Sequence, residues 1–358
     1  MRVLTLNVGS SSIKFGVFDV SGAVEAVAEG EIDLHGAARE LRLREGDKEQ
    51  VHALVDDKAA VAPQALDKLG KAQRIDAVAH RIVHGGRQLR QHCVIEGDVL
   101  HKIEAAAPFA PLHVPPALDW VRHAMDTWPG MPQVACFDTA FHYPLPEVSR
   151  VLPLPHEWLA KGVERYGFHG LSCESILAQM DAPPERLVIA HLGSGASLTA
   201  VLRGKSIDTS MGMTPTGGIV MGTRPGDLDP GVLLFLLREG HVSPSGLEEL
   251  LEHRSGLLGI SDLSADVREL ARAQGAPLAA LALEQFARSV AREAADMAVA
   301  LGGMELLVFT GGIGEHDEAT RERVIAHLQP CFPSLSTTVL PSRENRAMAL
   351  HAARLVAL

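Results

Sequence analysis

The alternation of apolar and polar positions divides the chain into short strand-like runs and two long helical ones. Val3–Leu6 and Ile13–Phe18 are apolar runs joined by the polar turn Asn7-Val8-Gly9-Ser10-Ser11-Ser12, which predicts a β-hairpin. The same plan returns later, as Leu187–Ala190, then His191-Leu192-Gly193-Ser194-Gly195-Ala196-Ser197, then Leu198–Leu202. Setting Asn7 on His191 puts Gly9 on Gly193 and Ser10 on Ser194, an offset of 184 residues in a chain of 358. A duplicated pair of α/β lobes, each opening with a Gly/Ser hairpin, is the simplest reading. Asp76–Val83 and Gln133–Phe137 read as buried strands that stop at polar residues, where sites in α/β sheets form. Pro-rich stretches at 107–116 and 143–155 read as loops, the second marking a lobe boundary. The expected division is an N-terminal lobe of residues 1–147, completed by a C-terminal helix at 345–358, and a second lobe of residues 148–344. The Ala-rich amphipathic stretch 278–301 predicts one long helix, and 343–358 another.

Composition narrows the function. Apolar residues at 46% and charged residues at 22% describe a chain that folds on its own. Aromatics at 4% and a net charge of -11 leave neither a stacking platform nor a basic footprint, so nucleic acid is excluded as a partner. No apolar run reaches the ~18 residues of a membrane span. The first residues, Met1-Arg2-Val3-Leu4, run into a strand rather than a leader, and the expectation is a cytoplasmic protein that binds no membrane. Four cysteines lie far apart with no CxxC, so neither a zinc knuckle nor a disulfide framework is expected.

Several segments could carry chemistry. Successive backbone N–H groups in tight Gly/Ser turns, with hydroxyls beside them, can wrap phosphate oxygens, and two such turns related by duplication suggest a polyphosphate. Neither fits GxxxxGK[ST] or GxGxxG, and hairpin geometry alone is the bland alternative. Arg81, in His80-Arg81-Ile82-Val83-His84-Gly85-Gly86, and Arg224, in Met221-Gly222-Thr223-Arg224-Pro225-Gly226-Asp227, stand beside glycines that let a ligand approach. A guanidinium in such a place meets either an internal carboxylate or an anionic ligand. His169, between glycines, could donate to an oxyanion. Asp138, just beyond a strand, could orient an arginine, reach a metal or cap a helix. Leu307–Thr310 runs into Gly311-Gly312-Ile313-Gly314-Glu315, which leaves room for a purine and its ribose or simply turns a strand into a helix.

Taken in order, LNVGSSSIKFGVFD, HRIVHGG, APLH, FDTAFH, RYGFHG, AHLGSGAS, DTSMGMTP, MGTRPGDLDPG and FTGGIGE resemble the acetate and propionate kinase family from residue 3 to the end. The resemblance implies an α/β fold of two duplicated ribonuclease-H-like lobes, as in actin-like ATPases, sugar kinases and heat-shock chaperones. It implies reversible transfer of the ATP γ-phosphoryl group to acetate, giving acetyl phosphate and ADP, with magnesium or manganese, in a homodimer. Propionate or butyrate kinases are the runner-up enzymes, and a non-catalytic nucleotide-binding regulator is the alternative of another class. Carried over position by position, Asp138, His169, Arg81 and Arg224 are the catalytic set, and Arg81, Val83, Leu112, Phe168 and Pro215 surround the acid. Ser10, Ser12 and Lys14 match the first phosphate hairpin, and His191, Gly193, Ser194 and Gly195 the second. Asp266 and Arg268 match the adenosine side, and Gly311, Gly312, Ile313 and Gly314 the adenine–ribose loop. Asn7 and Glu344 fall on the metal-binding positions. One departure stands out: Ser194 replaces the family's usual asparagine, a shorter side chain with no amide to donate to the nucleotide phosphates.

Overall fold

A computed structural model describes residues 1–9, 12–33, 40–46, 48–54, 58–273 and 275–357. The chain divides into two units. The first comprises Met1–Phe141, Gly170–Ser175 and Arg343–Leu358, and the second His142–His169 and Ile176–Ser342. The chain therefore leaves the first unit at Phe141 rather than after residue 147, and returns to it for Gly170–Ser175 before its C-terminal helix.

In the first unit the strands are β1 (Arg2–Val8), β2 (Ser12–Asp19), β3 (Glu25–Asp33), β4 (Glu40–Glu45), β5 (Lys48–Ala53), β6 (Ala77–Ile82), β7 (Cys93–Val94) and β8 (Gln133–Phe137). They form one sheet in the order β5-β4-β3-β2-β1-β6-β8-β7. Alternation decides which residues face which layer. Leu4, Leu6 and Val8 of β1 join Ala65, Leu66 and Leu69 of the helix Lys58–Ala72, with Trp120 and Ala124, in one core. Val3, with Ala79, Val134 and Cys136 of neighbouring strands, packs on the other side against Met348, Ala349 and Ala352 of the helix Glu344–Val356.

The second unit has β9 (Arg186–Leu192), β10 (Ala196–Leu202), β11 (Lys205–Thr209), β12 (Leu306–Thr310) and β13 (Ser336–Val339), in the order β11-β10-β9-β12-β13. The helix Pro277–Leu301 buries Ala282, Phe286, Val290, Ala294 and Met297 on one stripe, and its many alanines let the backbone lie close to the sheet. The duplication is explicit in the registers. β1 lies antiparallel to β2 and parallel to β6, as β9 lies antiparallel to β10 and parallel to β12. Val3 pairs with Ala77 and Leu187 with Leu306, so the 184-residue offset sets β1 on β9, and β3-β2-β1-β6-β8 matches β11-β10-β9-β12-β13. This is the ribonuclease-H-like strand order, present once in each unit.

The proline-rich stretch near residue 110 is not wholly loop. Val114–Thr127 is a helix with prolines in its first turn, where a missing N–H costs nothing.

Candidate active site

In the first unit, sheet periodicity assembles a charged cluster. Thr5 and Asn7 follow Val3 onto the face covered by the C-terminal helix. Arg81 follows Ala79, and Asp138 follows Val134 and Cys136. Glu344 opens that same helix, where a carboxylate suits the positive end of the dipole. Asn7, Arg81, Asp138 and Glu344 meet. Arg81 Nη2 lies 2.5 Å from Asp138 Oδ2, and Arg81 Nε donates to both carboxylate oxygens, at 3.1 and 3.0 Å. Arg81 Nη1 donates to Asn7 Oδ1 (3.0 Å), and Asn7 Nδ2 donates to Glu344 Oε2 (2.8 Å). The carboxamide is a bridge between the arginine and the helix terminus. Burial works against the charge on Arg81, but Asp138 and Glu344 outweigh it and push its pKa up. Burial likewise raises the Asp138 carboxyl, against the pull of Arg81.

His80 and His84, which flank Arg81 in the sequence, are not part of a basic clamp. His80 is buried against Gln133 (2.8 Å), and burial lowers its pKa to about 4, so it is neutral at pH 7. His84 accepts from the Gly86 N–H and stacks on Phe109.

The second unit builds a different cluster on the equivalent hairpin. His191 stands where β1 has Asn7, and Thr310, its register partner, stands where β6 has Arg81. His169 stacks on His191, with centroids 4.2 Å apart and rings 18° from parallel, and its Nδ1 lies 2.9 Å from Ser197 Oγ. His169 has φ of 56°, a left-handed conformation costly for a non-glycine residue and frequent at functional sites. Ser197 is the functional neighbour that the sequence reading passed over. Its position opposite His191 on β10 was the available signal. A Cβ at Gly195 would come 2.7 Å from Arg224 Nη2 and 3.5 Å from His169 Nε2, so the bare backbone of this loop lies against both side chains. Arg224 Nη1 donates to the Pro215 carbonyl (2.5 Å), and among the described residues Arg224 forms no ion pair. Burial lowers its pKa. Ser194 is exposed and accepts from the Gly222 N–H through its carbonyl (3.2 Å).

The other sequence-predicted residues fall as follows. Ser10 lies outside the described residues, and Ser12 is placed as the first residue of β2. Lys14 is exposed and faces Asn7 across the hairpin. Val83, Phe168 and Pro215 are buried, whereas Leu112 is 40% exposed. Asp266 caps the helix Val267–Arg272, accepting from the Arg268 N–H (2.7 Å), and pairs with the exposed Arg268 side chain (2.6 Å). Gly311, Gly312, Ile313 and Gly314 open the short helix Gly311–His316 directly after β12. Among the described residues no disulfide is formed. No helix among the described residues is long and apolar enough to cross a membrane.

The donor set around Glu344 fits a hard cation. It offers the Glu344 carboxylate beside the Asn7 carboxamide, whose oxygen, like both Asp138 oxygens, also accepts from Arg81. Magnesium is normally held by one or two carboxylates together with substrate phosphates.

The chain matches the model of the acetokinase family over residues 2–338. An acetate kinase of Rhodopseudomonas palustris is 41% identical, over 90% of this chain and 85% of its own length. Acetate kinase 1 of Neisseria meningitidis is 42% identical, over 91% and 85%. Among solved structures, an acetate kinase of Porphyromonas gingivalis superposes with a TM-score of 0.86 at 33% identity, over 99% of both chains. A propionate kinase of Francisella tularensis superposes with a TM-score of 0.92 at 32% identity, also over 99% of both.

Proposed function

The chain belongs to the acetokinase family, and from that premise we propose that it transfers the γ-phosphoryl group of ATP reversibly to acetate, giving acetyl phosphate and ADP. The observation that carries the reading is Arg224, a largely buried guanidinium beside a glycine loop; among the described residues it forms no ion pair, and the Glu252 charge is too weak to offset its burial. Such a charge is tolerated where an anion is to be met.

Acetate has a pKa near ~5 and is ionised at neutral pH, as model carboxyls are, so no general base is needed. A carboxylate oxygen forms the new bond to the γ-phosphorus, and the bond from that phosphorus to the β,γ-bridging oxygen breaks, its electrons leaving with ADP. What the protein supplies is position and positive charge. Arg81 holds the acid's carboxylate, and Asp138, whose oxygens grip the Arg81 fork, orients it without moving a proton. Arg224 and His169 donate to the phosphoryl oxygens in flight. The backbone of Gly193–Gly195 lines the nucleotide phosphates, and Gly311–Gly314 leaves space for adenine and ribose, beside Asp266 and Arg268. Magnesium, held by Glu344 with Asn7, would neutralise charge on the nucleotide phosphates. We place the reaction in the cytoplasm, with a second copy of the chain bound through the helix Pro230–Arg238, none of whose residues is buried although its sequence is PGVLLFLLR.

The test is acetyl phosphate formation from ATP and acetate, trapped as the hydroxamate. Its absence with acetate, propionate and butyrate alike, in a protein that still binds ATP, would return the chain to the class of nucleotide-binding regulators.

A further inference from the structure

The first unit contains a second group of titratable side chains, His92, Glu174 and His351, that phosphoryl transfer leaves unused. Their nitrogen and oxygen atoms lie within 4.8 Å of one another. Glu174 Oε2 is 2.7 Å from His351 Nε2, Oε1 is 3.4 Å from His92 Nε2, and the two imidazole rings are 4.0 Å apart. Two histidines and a glutamate resemble a metal-binding set, but one hydrogen bond decides otherwise. The Phe137 N–H donates to His92 Nδ1 (3.0 Å), so Nδ1 carries the lone pair and the proton of the neutral ring sits on Nε2, towards Glu174. A histidine that binds metal through Nε2 keeps its proton on Nδ1 and donates it outward. His92 is oriented the other way.

That orientation answers a need of the sheet. β7 is two residues long, and its pairing with β8 covers Ala135 and Val134 and stops there. Phe137, at the end of β8, is buried, and His92 supplies the acceptor that a longer strand would have given its N–H. The next residue is Asp138. On the other side of Glu174, His351 lies seven residues, two helical turns, after Glu344 on one helix.

We propose that His92, Glu174 and His351 form a positioning relay in which one carboxylate fixes both the strand end that carries Asp138 and the helix that carries Glu344, and through them the aim of Arg81. Glu174 holds the His92 tautomer by taking its Nε2–H, and holds the helix through His351. Burial raises the Glu174 carboxyl, but the hydrogen bonds from His351 and His92 bring it down to about 2, so it is an anion throughout the working range.

The inference rests on the kinase reading, and the two fail separately. Wild type assayed alongside tests the reaction itself, and the variants test the relay. His92→Asn keeps an acceptor where Nδ1 stood, whereas His92→Gln keeps a donor towards Glu174 and loses that acceptor. In the hydroxamate assay we expect His92→Asn within about threefold of wild type, and His92→Gln and Glu174→Gln lowered about 10- to 100-fold in kcat with a raised KM for acetate and a raised magnesium requirement. If His92→Gln fails to fold, His351→Leu, at a more exposed end of the relay, is read in its place. Variants that lose thermal stability while keeping wild-type kcat and KM would overturn the relay, as would equal loss in His92→Asn and His92→Gln. One equivalent of zinc retained by the purified wild type, and lost on Glu174→Gln, would overturn it in favour of a metal site.

Discussion

Arg81 and Arg224 carry the same charge in opposite settings. Arg81 is paired within the protein, with Asp138 and Asn7 on its fork, while Arg224 spends one nitrogen on the Pro215 carbonyl and, among the described residues, forms no ion pair. Replacing either with alanine should lower turnover by about 10²- to 10³-fold, the usual cost of removing a donor that meets transition-state charge. The effects on folding should differ. Arg81→Ala strands Asp138, 1% exposed, without its partner, a loss of about 3–5 kcal/mol, whereas Arg224→Ala leaves no orphaned charge. Thermal melts beside the kinetic assay check this, and equal melting temperatures for the two variants would contradict it. Val83, 6% exposed, tests the acid. One methylene in an apolar pocket is worth about 1–3 kcal/mol, so propionate should be roughly 10- to 200-fold poorer in kcat/KM, and Val83→Ala should narrow that gap. Wild type that prefers propionate would remove Val83 from the pocket. At this scale the sequence told a great deal about residues whose environment is local, such as an arginine before paired glycines or a carboxylate after a strand. It said nothing of His92 or Glu174, because their partnership depends on where a two-residue strand stops.

The hairpins were legible as elements because a Gly/Ser turn between apolar runs has few other solutions. The helix beginning at Val114 was hidden by its own prolines, which break a helix interior but open a helix well. The long helix Pro277–Leu301 matched its Ala-rich stripe, yet one of its residues could be understood only in the fold. Glu293 is pushed up to about 7 by burial and by the carboxylates of Asp296, Asp227 and Asp208 around it. Below pH 4.5 folded and unfolded chains both hold this proton. Between pH 4.5 and 7 the folded chain holds a proton that the unfolded one releases, so stability falls as pH rises through that window and is level above it, by roughly 3 kcal/mol at most. Glu293→Gln removes this term. Urea melts at pH 5 and pH 8 should show wild type weakened at the higher pH and the variant much less so, and an identical decline in both would assign the slope to other groups.

Duplication is the property of the whole molecule that the sequence carried most plainly, since the 184-residue offset between two short turns sets β1 on β9, and each of these two strands has the same kind of neighbours in its sheet. The divergence of the copies was less visible. Where one unit places Asn7 and Arg81, the other places His191 and Thr310; the hairpins alone align Asn7 with His191, but the match of Arg81 with Thr310 comes from the paired registers. Least legible was surface. An apolar run such as VLLFLL reads as core in a sequence, yet in the helix Pro230–Arg238 Val232 is 43%, Leu234 48% and Phe235 56% exposed. Leu228, just before it, is 44% exposed. Apolar residues grouped in this way on a surface mark an interaction site, because a lone soluble chain gains by covering them. Phe235→Glu places a charge in the middle of the group, and a charge buried in an interface without a partner strongly opposes association. In sedimentation equilibrium wild type should therefore weigh twice the chain mass and Phe235→Glu the single mass, with melts confirming that the variant is folded. A wild type that sediments as a monomer, or a variant that stays paired, would move the dimer contact away from this helix.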